Sequence, residues 1–170
     1  MTSGTDTVYF DDLVPGSRYV TSGRTVTESD VVSFAGLSGD YNRLHVDAVF
    51  AESAPFGERV AHGLLVLSIA SGLSTRLAVS EAMQPNILGL LDLQCRWPGP
   101  TRFGDTIHVV LTIEECRPTS KPGRGVVTMT REVVNQRGET VMVSTWKLLM
   151  RRRHHNADVQ GGQSPARPLV

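Results

Sequence analysis

The feature that most constrains the fold is one long apolar run, residues 60–79. It is long enough to raise the question of a membrane span. However, it contains His62, Gly63, Arg76 and several hydroxyl side chains, a combination too polar for lipid. A helix that is apolar on nearly every face and too polar for a bilayer is typical of the buried centre of a globular domain. We therefore predict one long, buried central helix.

After residue 87 the apolar residues recur with a period of two, which is typical of β-strands. The alternation is clearest over residues 107–113. Further strands are predicted at residues 87–97, 127–133 and 140–150, with a hairpin turn at 135–138. One apolar helix followed by four strands predicts an α+β fold, in which an antiparallel sheet wraps around the helix. The other face of that sheet must be solvated or covered by a partner.

The residues before the apolar run predict shorter elements. A strand is expected over residues 17–26. Residues 27–30 have the form of a capping box, and the helix that they begin is expected to end at Gly39. Residues 40–45 are then predicted to form a loop, and Asp47 is predicted to cap a second, short helix.

The charge balance bears on the class of partner. The 17 Lys and Arg residues equal the 17 Asp and Glu residues, so the formal net charge is zero. Binding to nucleic acid requires a basic excess, so no nucleic-acid partner is expected. The basic cluster at residues 151–155 is predicted to be a solvated strand end. The composition beyond it is polar and aperiodic, which predicts a single domain over residues 1–153 and a disordered tail over 154–170.

Two cysteines, Cys95 and Cys116, lie far apart and form no CxxC motif, and the polar N-terminal residues are unlike a signal peptide. We therefore expect a cytoplasmic protein whose thiols are reduced packing residues. No group of His, Cys and acidic residues has the spacing of metal ligands, and no glycine-rich nucleotide motif occurs. Neither a metal nor a nucleotide cofactor is expected.

The predicted loop carries a candidate acid–base pair. Asp40 and His45 lie five residues apart with Asn42 between them, although each one alone is consistent with a turn residue or a packed histidine. Gly63, near the start of the central helix, offers a backbone N–H at the positive end of the helix dipole, where a developing oxyanion is stabilised. These are the groups needed to add water to, or remove it from, a carbon chain activated by a carbonyl.

Two further histidines have structural interpretations. His62 is predicted to cap or brace the start of the helix rather than to act on a substrate. His108 falls on the polar face of its strand and is predicted to be structural or exposed. Neither is therefore assigned to the acid–base pair.

Two motifs occur together in this chain. They are residues 38–45, Ser-Gly-Asp-Tyr-Asn-Arg-Leu-His, and residues 56–63, Phe-Gly-Glu-Arg-Val-Ala-His-Gly. With Ser71-Gly72 and a Gly-Asp turn at 104–105, they resemble the MaoC-like (R)-specific enoyl-CoA hydratases over most of the chain. The resemblance implies the hot-dog fold, a homodimer or a higher assembly of dimers, and no cofactor beyond the CoA of the substrate.

The same resemblance implies site residues and a reaction. Asp40 and His45 would hold and activate one water, which adds to the β-carbon of a trans-2-enoyl thioester while a proton reaches the α-carbon on the same face. The Gly63 N–H would hold the enolate oxygen. Asn42 would support the pair, and Ser71 matches a serine near the active site of the family.

Arg43 departs from the family, which usually has proline at this position. Its side chain would either contact the substrate, for example a CoA phosphate, or lie on the surface. Several alternatives stay open: an acyl-CoA thioesterase, a ring-opening hydrolase-type activity or a non-catalytic acyl-CoA-binding subunit. CoA and carrier-protein thioesters are not distinguished, and no membrane partner is expected.

Overall fold

The computed structural model describes residues 7–153. The helices are α1 (Glu28–Ser38), α2 (Arg43–Val46), α3 (Ala48–Glu52), α4 (Gly63–Ser74) and α5 (Ala78–Met83), with 3₁₀ turns at Phe10–Asp12 and Gln84–Asn86. The strands are β1 (Arg18–Val20), β2 (Arg24–Thr25), β3 (Ile87–Arg96), β4 (Thr106–Pro118), β5 (Arg124–Asn135) and β6 (Thr140–Arg151). The predicted tail, residues 154–170, lies outside the described residues.

All the strand pairs of the sheet are antiparallel, and the strands lie in the order β1-β4-β5-β6-β3, with β2 also paired to β4. The four strands predicted from the alternating pattern are therefore confirmed. The predicted hairpin turn between β5 and β6 is confirmed as well, and Gly138 in it has a φ of 78°, which glycine adopts at no steric cost.

Helix α4 lies against one face of the sheet, in contact with β4 and β6. Alternate residues of β4, β5 and β6 point to this face and are buried. One hydrophobic cluster surrounds α4 and includes Val66 and Val109, and a second includes Phe10 and Trp146. Leu67 of α4 packs against both clusters. These contacts confirm an α+β fold with an antiparallel sheet around a central helix.

The prediction of one helix through residues 60–79 is wrong in its length and its burial. The run breaks after α4, and the segment from Ala78 to Asn86 leaves at 79° to it. The Ser74 and Thr75 hydroxyls donate to the carbonyls of Ala70 and Gly72, and such side chains compete with the next helical turn. One side of α4 also faces outward, where Leu64 is 57% exposed.

In the part of the chain before α4, some predicted elements are confirmed and others are wrong. Helix α1 begins with the predicted capping box, in which Thr27 and Asp30 bond reciprocally, and it ends at Gly39 with a φ of 74°. The expected strand over residues 17–26 is two short strands, β1 and β2. The predicted loop over residues 40–45 is wrong in its second half, which belongs to α2. A helix of four residues is too short to show a 3.6-residue period, so the sequence pattern did not reveal it.

The basic cluster is largely neutralised where the structure describes it. Arg152 forms an ion pair with Asp11 at 2.8 Å, and Arg153 pairs with Asp12 at 2.8 Å. These pairs join the end of β6 to the N-terminal turn. They agree with the interpretation of this cluster as a strand end rather than a nucleic-acid patch.

No single helix within residues 7–153 is long and apolar enough to cross a membrane, and only the bent pair Gly63–Ser74 and Ala78–Asn86 meets the length and composition requirement jointly.

One charged side chain lies on the packed face of the sheet. Arg131 of β5 is 7% exposed, and two of its guanidinium nitrogens have no hydrogen-bond partner within the part of the chain that the structure describes. The guanidinium carbon lies 3.8 Å from the centroid of the Trp146 ring, and this cation–π contact offsets part of the cost of burial. Burial lowers the pKa of Arg131 to about 10, so the group stays charged at neutral pH.

Asp105, in the predicted Gly-Asp turn before β4, is a buried carboxylate that is 2% exposed. It accepts hydrogen bonds from the Arg102 N–H at 2.8 Å, from Gln136 at 3.0 Å and from Arg137 at 2.8 Å. Burial acts to raise the pKa of Asp105, but these hydrogen bonds and the positive charge of Arg137 outweigh it and hold the pKa below its usual value.

We expect Asp105→Asn to lower the free energy of unfolding at neutral pH by about 2 kcal/mol, because it removes the charge from a buried acceptor of several hydrogen bonds, while its partner Arg137 stays partly solvated. A carboxyl group with a lowered folded-state pKa stabilises the fold above its ordinary pKa, and that stability is lost as the pH falls through the lowered value. Urea unfolding from about pH 7 to about pH 3 should therefore show the two proteins converging at acid pH. Equal stability at pH 7 would contradict this role.

Candidate active site

Asp40 is held in position by the end of α1. After the left-handed turn at Gly39, the Asp40 N–H donates to the Ser38 hydroxyl at 3.2 Å. The Asp40 carboxylate accepts the Asn42 N–H at 3.2 Å, and the Asn42 amide oxygen in turn accepts the Leu44 N–H and caps α2. The carboxylate is therefore exposed but anchored by the local backbone.

His45 lies on α2, half-buried, and its Nδ1 is 2.8 Å from the Val60 carbonyl oxygen. A carbonyl oxygen only accepts, so Nδ1 carries the proton of the neutral ring and Nε2 presents a lone pair. The Val60 N–H also donates to the Leu44 carbonyl at 3.2 Å. Two hydrogen bonds thus tie α2 to the segment before α4 and fix the orientation of the imidazole.

His62 immediately precedes α4 and is 2% exposed. Its side chain makes no capping hydrogen bond to the helix, so the prediction of a cap is wrong. Instead, Nε2 lies 2.9 Å from the Asp40 carbonyl oxygen, and the ring centroid lies 3.9 Å from that of His45. Sequence reasoning did not place His62 in the site; its position next to Gly63 was the available signal.

Gly63 is the first residue of α4, so its N–H has no partner within the helix. The Trp97 indole Nε1–H donates to the Gly63 carbonyl at 3.0 Å. A Cβ on residue 63 would lie 2.9 Å from the indole Cε2, closer than real contacts allow. Glycine is therefore required here by the close approach of the indole.

A cavity of about 250 Å³ opens beside these residues. His45 and Gly63 both line it, and the rest of the wall is mostly apolar. The lining residues are Leu44, His45, Phe56, Val60, Ala61, Gly63, Val66, Trp97, Pro98, Gly99, Pro100 and Thr101. An apolar cleft with two convergent polar groups is the usual form of a small-molecule site.

Asp40, His45 and His62 form one polar cluster, in which a ligand-type atom of each lies within 4.8 Å of the others. Two groups at such a separation can share one water at hydrogen-bonding distance from both. The cluster also has the composition of a metal site. However, one ring nitrogen of each histidine already bonds a carbonyl oxygen, and the two rings lie against each other. We therefore assign no metal to this cluster. The expectation that the protein binds no metal stays a prediction.

The other predicted site residues, Asn42, Arg43 and Ser71, differ in their position relative to the acid–base pair. Asn42 lies between the two members of the pair and shapes the turn. The Arg43 guanidinium forms an ion pair with Asp47 at 2.9 Å and lies over the Phe50 ring, so its contact with a substrate stays a prediction. Ser71 is eight residues along α4 from Gly63, about 12 Å along the helix axis. Ser71 is not among the residues that line the cavity, and its role near the active site stays a prediction.

The family described as "MaoC like domain" matches residues 12–137. The chain is 34% identical over 138 residues to an (R)-specific enoyl-CoA hydratase of Rhodospirillum rubrum, over 79% of this chain and 91% of that protein. It is 41% identical over 104 residues to Protein MaoC of Klebsiella aerogenes, but that match spans only 30% of the longer relative.

Solved structures of similar proteins support the same family. A MaoC-like dehydratase from Rhodospirillum rubrum is similar with a TM-score of 0.78 and 31% identity, over 87% of this chain and 99% of that one. A Mycobacterium tuberculosis protein described as a double hotdog fold gives a TM-score of 0.73 at 20% identity, over 94% of this chain and 47% of that one, which bears on the fold alone. The chain therefore belongs to the MaoC-like dehydratase family and has the hot-dog fold.

Proposed function

We propose that this protein is an (R)-specific hydratase and dehydratase that adds water to, or removes it from, the 2,3-position of an acyl-CoA thioester. The observation that carries the proposal is that His45 and Gly63 line the same apolar cavity, and that a carboxylate oxygen of Asp40 lies within 4.8 Å of a ring nitrogen of His45. The relative from Rhodospirillum rubrum is named an enoyl-CoA hydratase, which supports CoA as the thiol of the substrate.

The proposed reaction uses one water between Asp40 and His45. The unprotonated Nε2 of His45 takes a proton from this water as its oxygen bonds the β-carbon of the enoyl thioester. The protonated His45 ring then returns this proton to the α-carbon on the same face, so that the OH and H of one water are added across the former double bond and the imidazole is neutral again. Asp40 holds the water in line, and the dehydration is the same path reversed.

The thioester oxygen becomes negative when the β-carbon is attacked. The Gly63 N–H lies at the positive end of α4 and at the cavity wall, where it can donate to this oxygen. One such donor contributes about 10²–10³-fold to the rate. The cavity wall is mostly apolar, so few side chains compete with the Gly63 N–H for this oxygen.

Asp40→Asn keeps the shape of the side chain but removes its charge, and His45→Gln removes the imidazole. If both groups act on one water, each change should lower kcat by about 10²–10⁴-fold with a small change in KM for crotonyl-CoA. The double variant should be scarcely slower than either single one, because groups that act as a unit are not additive. Steady-state assays that follow the loss of the enoyl thioester absorbance measure kcat and KM directly.

His108→Gln is the matched control, since His108 lies on β4, outside the cavity lining. It should hydrate crotonyl-CoA at the rate of the unchanged protein. Undiminished hydration by either pair variant, with the fold confirmed by circular dichroism, would refute these roles. Hydrolysis of saturated acyl-CoA with no hydration would instead identify a thioesterase, and binding without turnover a non-catalytic subunit.

Gly63→Ala tests the close approach of the indole to α4. The new methyl group must displace Trp97 and with it the cavity wall, so we expect kcat to fall by about 10-fold or more. Gly72→Ala on the same helix has no atom within 4 Å of the new Cβ. It should leave kcat unchanged and stabilise the helix by up to about 1 kcal/mol. Equal kcat values for the two variants would contradict the requirement at residue 63.

The edge of the sheet supports a further proposal, that the protein is a homodimer. Strand β3 ends the sheet order, and its Leu90 and Leu91 are 50% and 55% exposed. An apolar strand edge of ten residues is a surface for pairing with a second copy about a two-fold axis. Light scattering at micromolar concentration should give twice the chain mass of 18.5 kDa. A monomeric mass would contradict the proposal.

A further inference from the structure

We infer that His62 is a positioning residue of this active site, one that joins the Asp40 loop to the His45 ring. The inference rests on the proposed function, because Asp40 and His45 are the pair that it would position. It assigns His62 no contact with the substrate, and His62 does not line the cavity.

The first contact holds the carboxylate residue. A carbonyl oxygen only accepts, so the Nε2 of His62 must donate its proton to the Asp40 carbonyl, 2.9 Å away. The two residues are 22 positions apart in the chain. This hydrogen bond therefore fixes the exposed turn after α1 relative to the start of α4, where the Gly63 N–H lies.

The second contact holds the imidazole of the pair. The rings of His45 and His62 lie with centroids 3.9 Å apart and an angle of 34° between their planes. Phe34 of α1 supports the His62 ring, with centroids 5.0 Å apart. The Val60 carbonyl fixes one edge of the His45 ring. The hydrogen bond to Val60 and the contact with the His62 ring together fix the orientation of the His45 ring. They therefore also fix the direction in which the Nε2 lone pair points.

The remaining nitrogen of His62 argues against a role in packing alone. Its Nδ1 is buried and has no hydrogen-bond partner within residues 7–153. A buried acceptor without a donor destabilises a fold. A phenylalanine would keep the ring and remove this acceptor, so packing does not require an imidazole. The hydrogen bond to Asp40 does require one.

Two variants separate the contacts. His62→Phe keeps the ring but loses the donor, and His62→Gln keeps an amide N–H near the position of Nε2 but loses the ring. We expect kcat for crotonyl-CoA to fall by about 10²-fold in His62→Phe and by about 10-fold in His62→Gln, as for other small displacements of catalytic groups. KM should stay within about threefold in both, because the cavity wall is unchanged.

A spectroscopic readout separates positioning from folding. Nitrogen-15 NMR of labelled histidine should show His45 as the Nδ1–H tautomer in the unchanged protein and in His108→Gln. In His62→Phe and His62→Gln the His45 signals should broaden or shift, because the ring has lost one of its two supports. The melting temperature of His62→Phe should stay close to that of the unchanged protein.

The inference is overturned if folded His62→Phe and His62→Gln both keep kcat within about twofold. It is also overturned if the loss of activity follows the loss of folded protein while the His45 signals of the folded fraction are unchanged. If His62→Phe does not fold, His62→Gln alone decides by the same criteria. Full activity of Asp40→Asn and His45→Gln would instead refute the proposed function, whatever the His62 variants do.

Discussion

The site depends on where α4 begins. The helix packs through Val66 and its neighbours into the cluster beneath β4 and β6, which sets its direction. Its first residue, Gly63, is held by the Trp97 indole, and the Ala61 N–H donates to the Thr101 carbonyl at 2.8 Å. The hydrophobic contacts place the positive end of the helix at the cavity, and these two hydrogen bonds keep it there.

The acid–base pair is organised by the same segment. Val60 accepts the Nδ1–H of His45, and His62 donates to the carbonyl of Asp40. Both bonds join a short loop and helix to the three residues that precede α4. Without these bonds, a loop as exposed as that of Asp40 would be free to move. The residues before α4 therefore have two roles. They present the Gly63 N–H and they orient the pair.

Much of this was accessible from local patterns. The capping box at Thr27, the end of α1 at Gly39 and the turn at Gly138 all follow from chemistry within four residues. Strands β4, β5 and β6 were evident because one face of each is buried and the alternation records it. Asp40, His45 and Gly63 were found through their motifs, and the structure brings all three to one end of α4.

The sequence by itself determined the types of the longer elements, the antiparallel sheet around one helix and the candidate pair. These depend on periodicity and on short motifs. Only the tertiary structure decided that the apolar run breaks after Ser74 and that His62 bonds Asp40 and not its own helix. The physical reason is that each is set by contacts between residues distant in sequence or by side chains competing for carbonyls. The spacing of apolar residues indicates which face of an element is buried, but it does not identify the residues that pack against that face.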